Sequence, residues 1–196
     1  MADISIEQIK KLKELSGVGL TDAKQALVEA KGDFDKALEA MRKKGLTKAE
    51  KRGDRETREG LIDSYVHDGR IGAIVEVNCE TSFVAKTDEF KDLAHKIAMQ
   101  VASMAPLYVS TEDIPEDVMN AKKKELEENF KGPEKMKEQI IGGQIKKAFS
   151  DKVLMDQPYI LDDTKTVAEF IKDAIAKTGE NITVKQFKRI ELGVTE

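Results

Sequence analysis

Residues able to perform catalysis or hold a metal are scarce in this sequence. Its 196 residues include two histidines, His67 and His95, and a single cysteine, Cys79. One cysteine allows neither an intramolecular disulfide nor a Cys-x-x-Cys site, and two widely spaced histidines do not form an HExxH zinc motif. We therefore expect no metal site, and we expect these three side chains to lie in the core or on the surface.

The glycines near the N-terminus do not form a phosphate-binding loop. Gly17 and Gly19 have the first spacing of a dinucleotide fingerprint, but no third glycine follows, and no GxxxxGK motif occurs in the chain. The 37 acidic residues could supply a general acid and base, yet nothing in the sequence singles out a pair. We expect no catalytic residue, no cofactor and no enzymatic activity.

Charge and hydropathy are those of a soluble globular protein. The net charge is −4, with 40% apolar and 36% charged residues, which allows a packed interior but gives no overall basic field for nucleic acid. The sequence starts with neither a cationic segment nor an apolar run, and no stretch approaches the ~20 apolar residues that span a bilayer. These features predict a cytoplasmic protein with no membrane or direct nucleic-acid partner.

Residues 1–42 have the spacing of three short helices. Ser5 and Gln8 form a capping-box pattern, Thr21 is expected to cap a second helix, and Asp33 is expected to cap a third. Glycines separate the three segments, which predicts a small bundle resembling ubiquitin-associated (UBA) domains. The apolar positions expected to face its core are Ile6, Ile9, Leu12, Leu15, Ala23, Ala26, Leu27, Ala30, Phe34, Ala37, Leu38 and Met41.

A basic linker is predicted over residues 43–59. Residues 42–58 contain eight basic and three acidic side chains, a local charge of +5, whereas residues 59–196 carry a net charge of −7. The linker is either a solvated, partly helical spacer or a segment that contacts RNA through its charge, and the sequence leaves both interpretations open.

From residue 60 onward the apolar spacing changes from helical to alternating. Asp68 and Gly69 separate two strand-like segments, 61–67 and 70–79, and readily adopt the positive φ angles of a type I′ turn. The second segment is almost continuously apolar, which predicts a central strand. A long helix capped by Thr87 follows. Its expected buried face is Phe90, Leu93, Ala94, Ile97, Ala98 and Val101.

The remaining residues add helices and a late strand. Gly142 and Gly143 interrupt an expected helix, and their low helix propensity suggests close backbone packing at that point. Thr166 begins a second capping box, and the alternation over 182–192 changes phase midway, as at a bulge. Residues 60–196 are therefore predicted to form an α+β core with an antiparallel sheet of about three strands.

The segment Asn78–Lys86, between the second strand and the long helix, is too short for a full element. Thr81 can cap one helical turn, which puts Phe83 and Val84 at the tip of that turn. An apolar pair at such a tip either folds back onto the sheet or projects toward a partner, and the chemistry of the segment permits both.

Two long motifs resemble those of the elongation factor Ts family. Residues 12–27, LKELSGVGLTDAKQAL, are similar to the N-terminal signature of that family, and residues 76–86, EVNCETSFVAK, are similar to its second signature. Shorter matches at 143–147, 157–159 and 165–167 extend the resemblance over the whole chain.

The resemblance implies nucleotide exchange on elongation factor Tu, the GTPase that delivers aminoacyl-tRNA to the ribosome. In this family the tip inserts an aromatic ring between helices of the GTPase near its Mg²⁺ and phosphate site, a role that falls to Phe83 here. Thr81 and Ser82 would shape the tip and Val84 would flank it, while Leu20 and Thr21 would contact the GTPase from the bundle. The residues assigned to partner binding are thus Leu20, Thr21, Thr81, Ser82, Phe83 and Val84.

Position 82 departs from the family pattern, because serine stands where the family usually has aspartate. Serine keeps a hydroxyl but lacks the negative charge with which aspartate could repel the phosphate or compete for the metal ion. We therefore expect Phe83 to produce most of the effect on nucleotide release.

The length of the sequence matches the short form of the family. Long members have a duplicated body and a coiled-coil insertion, and 196 residues leave no room for both. The resemblance to short forms implies a homodimer, in which two copies provide the second contact surface.

Two other functions remain as alternatives. A UBA-like adaptor would use the bundle but would leave the α+β core unexplained. An RNA-binding translation accessory would use the basic linker, and its RNA affinity would fall steeply with salt.

Overall fold

The computed structural model describes residues 4–16, 19–41, 52–130, 132–133 and 136–194. Its helices are α1 (Ile6–Ser16), α2 (Leu20–Glu29), α3 (residues 34–41), α4 (Ser82–Ala85), α5 (Asp88–Met104), α6 (Glu116–Glu128), α7 (Lys137–Phe149) and α8 (Val167–Thr178). Its strands are β1 (Glu59–His67), β2 (Ile71–Cys79), β3 (Pro158–Tyr159), β4 (Asp162–Thr166) and β5 (Ile182–Glu191).

Two sheets are present in the described part of the chain. The larger is an antiparallel sheet in the order β1-β2-β5, and the smaller pairs β3 with β4. The α+β prediction is confirmed, as is the central position of β2. The small β3–β4 sheet was not predicted, because a strand of two residues shows no alternation.

The chain divides into two compact units. The first comprises the described residues within Met1–Ile62, Glu76–Ala94 and Glu169–Val184. The second comprises those within Asp63–Val75, His95–Ala168 and Lys185–Glu196. The predicted domain boundaries at 1–42, 43–59 and 60–196 stay a prediction, and linker residues 43–51 lie outside the described part.

In the first unit, the bundle helices enclose a small apolar core. The side chains buried there are Leu12, Ala23, Ala26, Leu27, Ala37 and Met41. Two predicted core residues, Ile6 and Leu15, are instead exposed. They lie near the two ends of α1, while Ile9, as predicted, and Ile4, which precedes the helix, pack against the core.

Local capping explains where the bundle helices begin. The Ser5–Gln8 capping box is confirmed, with Gln8 N donating to Ser5 Oγ at 3.1 Å and Ser5 N donating to Gln8 Oε1 at 3.0 Å. Asp33 caps α3 by accepting from Lys36 N at 3.1 Å. Thr21 does not cap α2, because that helix already begins at Leu20. The expected helix stop at Gly17 and Val18 lies outside the described residues.

The β1–β2 connection has the predicted turn. Asp68 and Gly69 have φ angles of +48° and +66°, and Arg70 N donates to His67 O at 2.9 Å. Near the other end of β1, Gly60 is required for space, because a Cβ atom there would lie 2.2 Å from the carbonyl oxygen of Val77.

Helix α5 begins as predicted, with Phe90 N donating to Thr87 Oγ1 at 3.2 Å. All six apolar residues expected on its inner face are buried. The helix ends at Met104, just before Ala105, whose φ of +46° is incompatible with a continuing helix.

In the second unit, a buried amide pair holds the segment that leads to β3. Gln100 Nε2 donates to Gln157 Oε1 at 3.1 Å, and Gln157 Nε2 donates to the carbonyl of Asp151 at 2.7 Å. Gln100 Oε1 in turn accepts from Ile160 N at 2.9 Å, so both amides are well satisfied.

The prediction of close backbone packing at Gly142 and Gly143 is wrong. Nothing lies within 4 Å of a Cβ atom placed at either position, so these glycines face open space on α7. The burial along β5 changes phase after Val184, in keeping with the sequence pattern.

Candidate functional site

The tip between β2 and α5 consists of Thr81 and the one-turn helix α4, Ser82–Ala85. Phe83 projects from it with 84% of its surface exposed, while Ala85 on the other side of the turn is buried. Ser82 and Val84 are partly buried. A single helical turn cannot bury all its apolar residues on one side. Of the two orientations that the sequence left open, folded back onto the sheet or projecting outward, Phe83 has the outward one.

Both ends of this turn are fixed by threonines. Thr81 is the N-cap residue, with extended backbone and its Oγ1 3.5 Å from Val84 N. At the other end, Thr87 Oγ1 donates to Val84 O at 2.8 Å and accepts from Phe90 N. The turn is therefore continuous with the start of α5.

Glu180, from the corner between α8 and β5, contacts the start of the tip. Its carboxylate accepts from Thr81 N at 3.0 Å and from Thr81 Oγ1 at 2.6 Å. Glu80 accepts from Asn181 N at 2.6 Å, and Arg55 Nη1 lies 3.4 Å from the Glu80 carboxylate. No local pattern in the sequence points to Glu180, because it lies 99 positions away from Thr81.

Leu20 and Thr21 lie elsewhere, on the first turn of α2. Leu20 is 52% exposed, and Thr21 is also exposed. The N-cap of α2 is Gly19, which supplies no side-chain hydrogen bond. The structure therefore brings Thr81 to Val84 together at the tip and puts Leu20 and Thr21 on a separate element.

Comparison with known proteins identifies the family of the chain. The family model described as elongation factor TS matches residues 5–194. Elongation factor Ts of Thermotoga maritima is 51% identical over 193 residues, which cover 97% of this chain and 97% of that protein. The chain belongs to the elongation factor Ts family.

Two further relatives with the same name differ in how much of them the chain covers. Elongation factor Ts of Moorella thermoacetica is 48% identical, with 97% of this chain and 96% of that protein covered. Elongation factor Ts of Rippkaea orientalis is 49% identical, with 98% and 80% covered. The resemblance in the two motifs is thereby confirmed, and the chain is a translation elongation factor of this family.

The single cysteine of the chain contacts the first residue of the tip. Cys79 is buried at the end of β2, and its Sγ donates to Thr81 O at 3.2 Å. Burial raises the pKa of the Cys79 thiol, and the nearby Glu180 carboxylate raises it further. The thiol is therefore protonated at neutral pH and unreactive.

The two histidines lie in the second unit and have polar partners. His95 Nδ1 is 3.2 Å from Asp63 Oδ2, and His67 Nδ1 is 3.0 Å from Tyr65 Oη. Among the described residues, no group of three or more His, Cys, Asp or Glu side chains is placed to hold a metal ion. Within the same residues, no helix is long and apolar enough to cross a membrane.

Proposed function

We propose that this member of the elongation factor Ts family is a guanine nucleotide exchange factor that binds elongation factor Tu and promotes GDP release. The observation that supports this most directly is Phe83, an aromatic side chain left 84% exposed on a firmly held turn. Covering a large apolar side chain with a partner removes it from water, which stabilises the complex. Insertion of the ring into the GTPase supplies that cover.

The proposed mechanism needs no covalent chemistry on this chain. Mg²⁺ in the GTPase requires near-octahedral oxygen ligands at about 2.0–2.1 Å, so a shift of about 1 Å in a neighbouring helix weakens both metal and GDP binding. Phe83 is the wedge that causes this shift. Thr81 and Ser82 set the backbone of the tip, and Val84 adds apolar contact beside the ring.

Binding and nucleotide release are reciprocal in this mechanism. A factor that prefers nucleotide-free elongation factor Tu lowers the affinity of the GTPase for GDP. In the same ratio, bound GDP or GTP lowers the affinity of the GTPase for the factor. Exchange is therefore accelerated without a change in the final GDP/GTP balance. The factor would act in the cytoplasm, where translation takes place.

The test is release of fluorescent GDP from purified elongation factor Tu. Phe83→Ala is expected to lower the maximal release rate about tenfold or more, because the wedge is lost. Leu161→Ala, which removes an exposed apolar side chain from the β3–β4 connection, serves as the matched control. Release by Phe83→Ala at the parental rate would refute the assignment of the wedge.

We also propose that two copies of the chain pair through the open face of the large sheet. Val66, Ile74 and Ile190 are exposed on β1, β2 and β5. The alternate residues Asp63 and Arg189 instead contact α5, on the opposite face. Pairing would cover this apolar face. Sedimentation analysis should show a dimer for the parent and a monomer for Ile190→Lys, and a monomeric parent would contradict the pairing.

The RNA-binding alternative is disfavoured by the described part of the linker. Arg52 donates to the carbonyl of Ile175 at 3.4 Å, and Arg55 pairs with Glu80. These cations serve contacts within the first unit. RNA binding with a steep salt dependence would support the alternative, whereas binding to elongation factor Tu that excess GDP abolishes would support exchange.

A further inference from the structure

Two neighbouring pairs of residues exchange hydrogen bonds beneath the tip. Glu180 accepts both the N–H and the O–H of Thr81, at 3.0 and 2.6 Å, while Glu80 accepts the N–H of Asn181 at 2.6 Å. Each acidic residue thus binds the residue that follows the other one. We call this arrangement of Glu80, Thr81, Glu180 and Asn181 the reciprocal clasp.

The surroundings of the reciprocal clasp favour strong hydrogen bonds. Hydrogen bonds to a carboxylate are about twice as strong as neutral ones, and partial burial reduces competition from water. Asn181 is 2% exposed, and the Glu80 side chain is 21% exposed. The cation of Arg55, 3.4 Å from Glu80, offsets part of the repulsion between the two carboxylates.

The clasp also holds the described part of the linker. Asn181 Nδ2 donates to Gly53 O at 3.1 Å and to Arg55 O at 2.7 Å. Residues 53–55, 80–81 and 180–181 are therefore joined at one corner of the first unit. Because hydrogen bonds connect these three segments, they form a rigid base for the turn that starts at Thr81.

The ring of Phe83 depends on this base for its position. Its side chain is 84% exposed, so packing within the chain does little to orient it. The backbone from Thr81 to Thr87 must set its direction, and Glu180 fixes the first residue of that backbone through two hydrogen bonds.

We propose that Glu180 is a positioning residue that holds the Phe83 wedge in its productive direction by fixing both donors of Thr81. This inference rests on the proposed exchange function. Misplacement of an active group by about 1 Å can reduce a rate about a hundredfold. A tip freed from Glu180 therefore lowers the maximal rate of GDP release more than it changes the concentration of factor that gives half-maximal release.

The experiment compares Glu180→Ala and Glu180→Gln with a control, Glu112→Gln, which removes the same charge from an exposed 3₁₀ helix, Thr111–Asp113. For Glu180→Ala we expect the maximal GDP release rate to fall about tenfold and half-saturation to change less than about threefold. Glu180→Gln keeps one acceptor oxygen and is expected to fall between Glu180→Ala and the parent.

Two measurements separate positioning from a merely structural role. Hydrogen exchange of the free factor should show faster amide exchange over residues 81–87 in Glu180→Ala, with unchanged exchange in the bundle. A double-mutant cycle with Thr81→Val should give a combined loss smaller than the sum of the two single losses, because both substitutions remove the same Thr81–Glu180 hydrogen bond.

The possible outcomes separate a failure of the Glu180 positioning role from a failure of the proposed exchange function. A parent chain that does not accelerate GDP release overturns the proposed function. If the parent is active, unchanged amide exchange at the tip or an unchanged release rate in Glu180→Ala overturns the positioning role alone. Additive losses in the double-mutant cycle overturn the route through Thr81.

Discussion

The two surfaces proposed to contact elongation factor Tu are built in different ways. The tip is a single helical turn held by side chains from distant parts of the chain, above all Glu180. The start of α2, with Leu20 and Thr21, has a glycine N-cap and no side-chain hydrogen bond at that cap. A rigid projection can displace part of a partner, whereas a simply exposed surface adds contact area. The difference suggests that the tip governs the rate of exchange and that the bundle governs affinity.

Removing one side chain from each surface tests whether the tip and the bundle have different roles. Phe83→Ala is expected to lower the maximal release rate about tenfold or more, whereas Leu20→Ala should raise the half-saturating concentration about threefold at an unchanged maximal rate. Titration of fluorescent GDP release with each variant gives both parameters. Equal losses of maximal rate in the two variants would show that the surfaces do not divide the work.

A smaller effect is expected from restoring the acid that the family usually has at the tip. Ser82→Asp puts a negative charge next to Phe83, and its repulsion of phosphate should speed GDP release about twofold to threefold. The same titration at low and high salt measures this, because screening should reduce the gain. A gain as large as the loss in Phe83→Ala would mean that charge, rather than the ring, dominates.

The thiol beneath the tip should affect stability at alkaline pH. Because folding raises the pKa of Cys79 above its ordinary value of 9.0, the unfolded chain loses the thiol proton first, and the folded state loses stability as pH rises from there. Urea unfolding at pH 8 to 10 should show a steeper fall for the parent than for Cys79→Ala. Parallel pH profiles would indicate that the thiol ionises equally in both states.

The smallest effect is expected at the bundle. Gly19 has a negative φ, and a Cβ atom there would meet no other atom within 4 Å, so Gly19→Asn can add the missing cap to α2 without a clash. The free energy of unfolding should rise by a few tenths of a kcal/mol, roughly 0.3.

Gly60→Ala in β1 provides the contrast, because Val77 O blocks a side chain there and the substitution should destabilise the protein strongly. Urea unfolding of both variants checks the contrast.

Most features that depend on nearby residues were predictable from the sequence, although the expected Thr21 cap was wrong because α2 begins one residue earlier, at Leu20. The caps at Ser5, Asp33 and Thr87 each involve a residue three positions away, and the Asp68-Gly69 turn depends on its own backbone preferences. The helical spacing of α5 identified its buried face for the same reason.

Features that depend on distant residues could not be predicted in this way. The direction of Phe83 follows from the packing of Ala85, and the role of Glu180 follows from a contact across 99 positions. At Gly142 and Gly143 the same limit produced an error, because a missing side chain can mean either a close neighbour or open space. The family resemblance supplied the wedge assignment, but it did not supply Glu180.

The separation of Thr81 from Glu180 also has a consequence for biosynthesis. During translation of its own messenger, the nascent chain exposes Phe83 long before Glu180 has been added, since 99 peptide steps lie between Thr81 and its acceptor. The bundle, whose contacts are local, can form early, whereas the tip must wait for long-range closure. An unfinished chain therefore carries an aromatic ring that Glu180 does not yet hold in place, and the proposed exchange activity has to wait until Glu180 has been added.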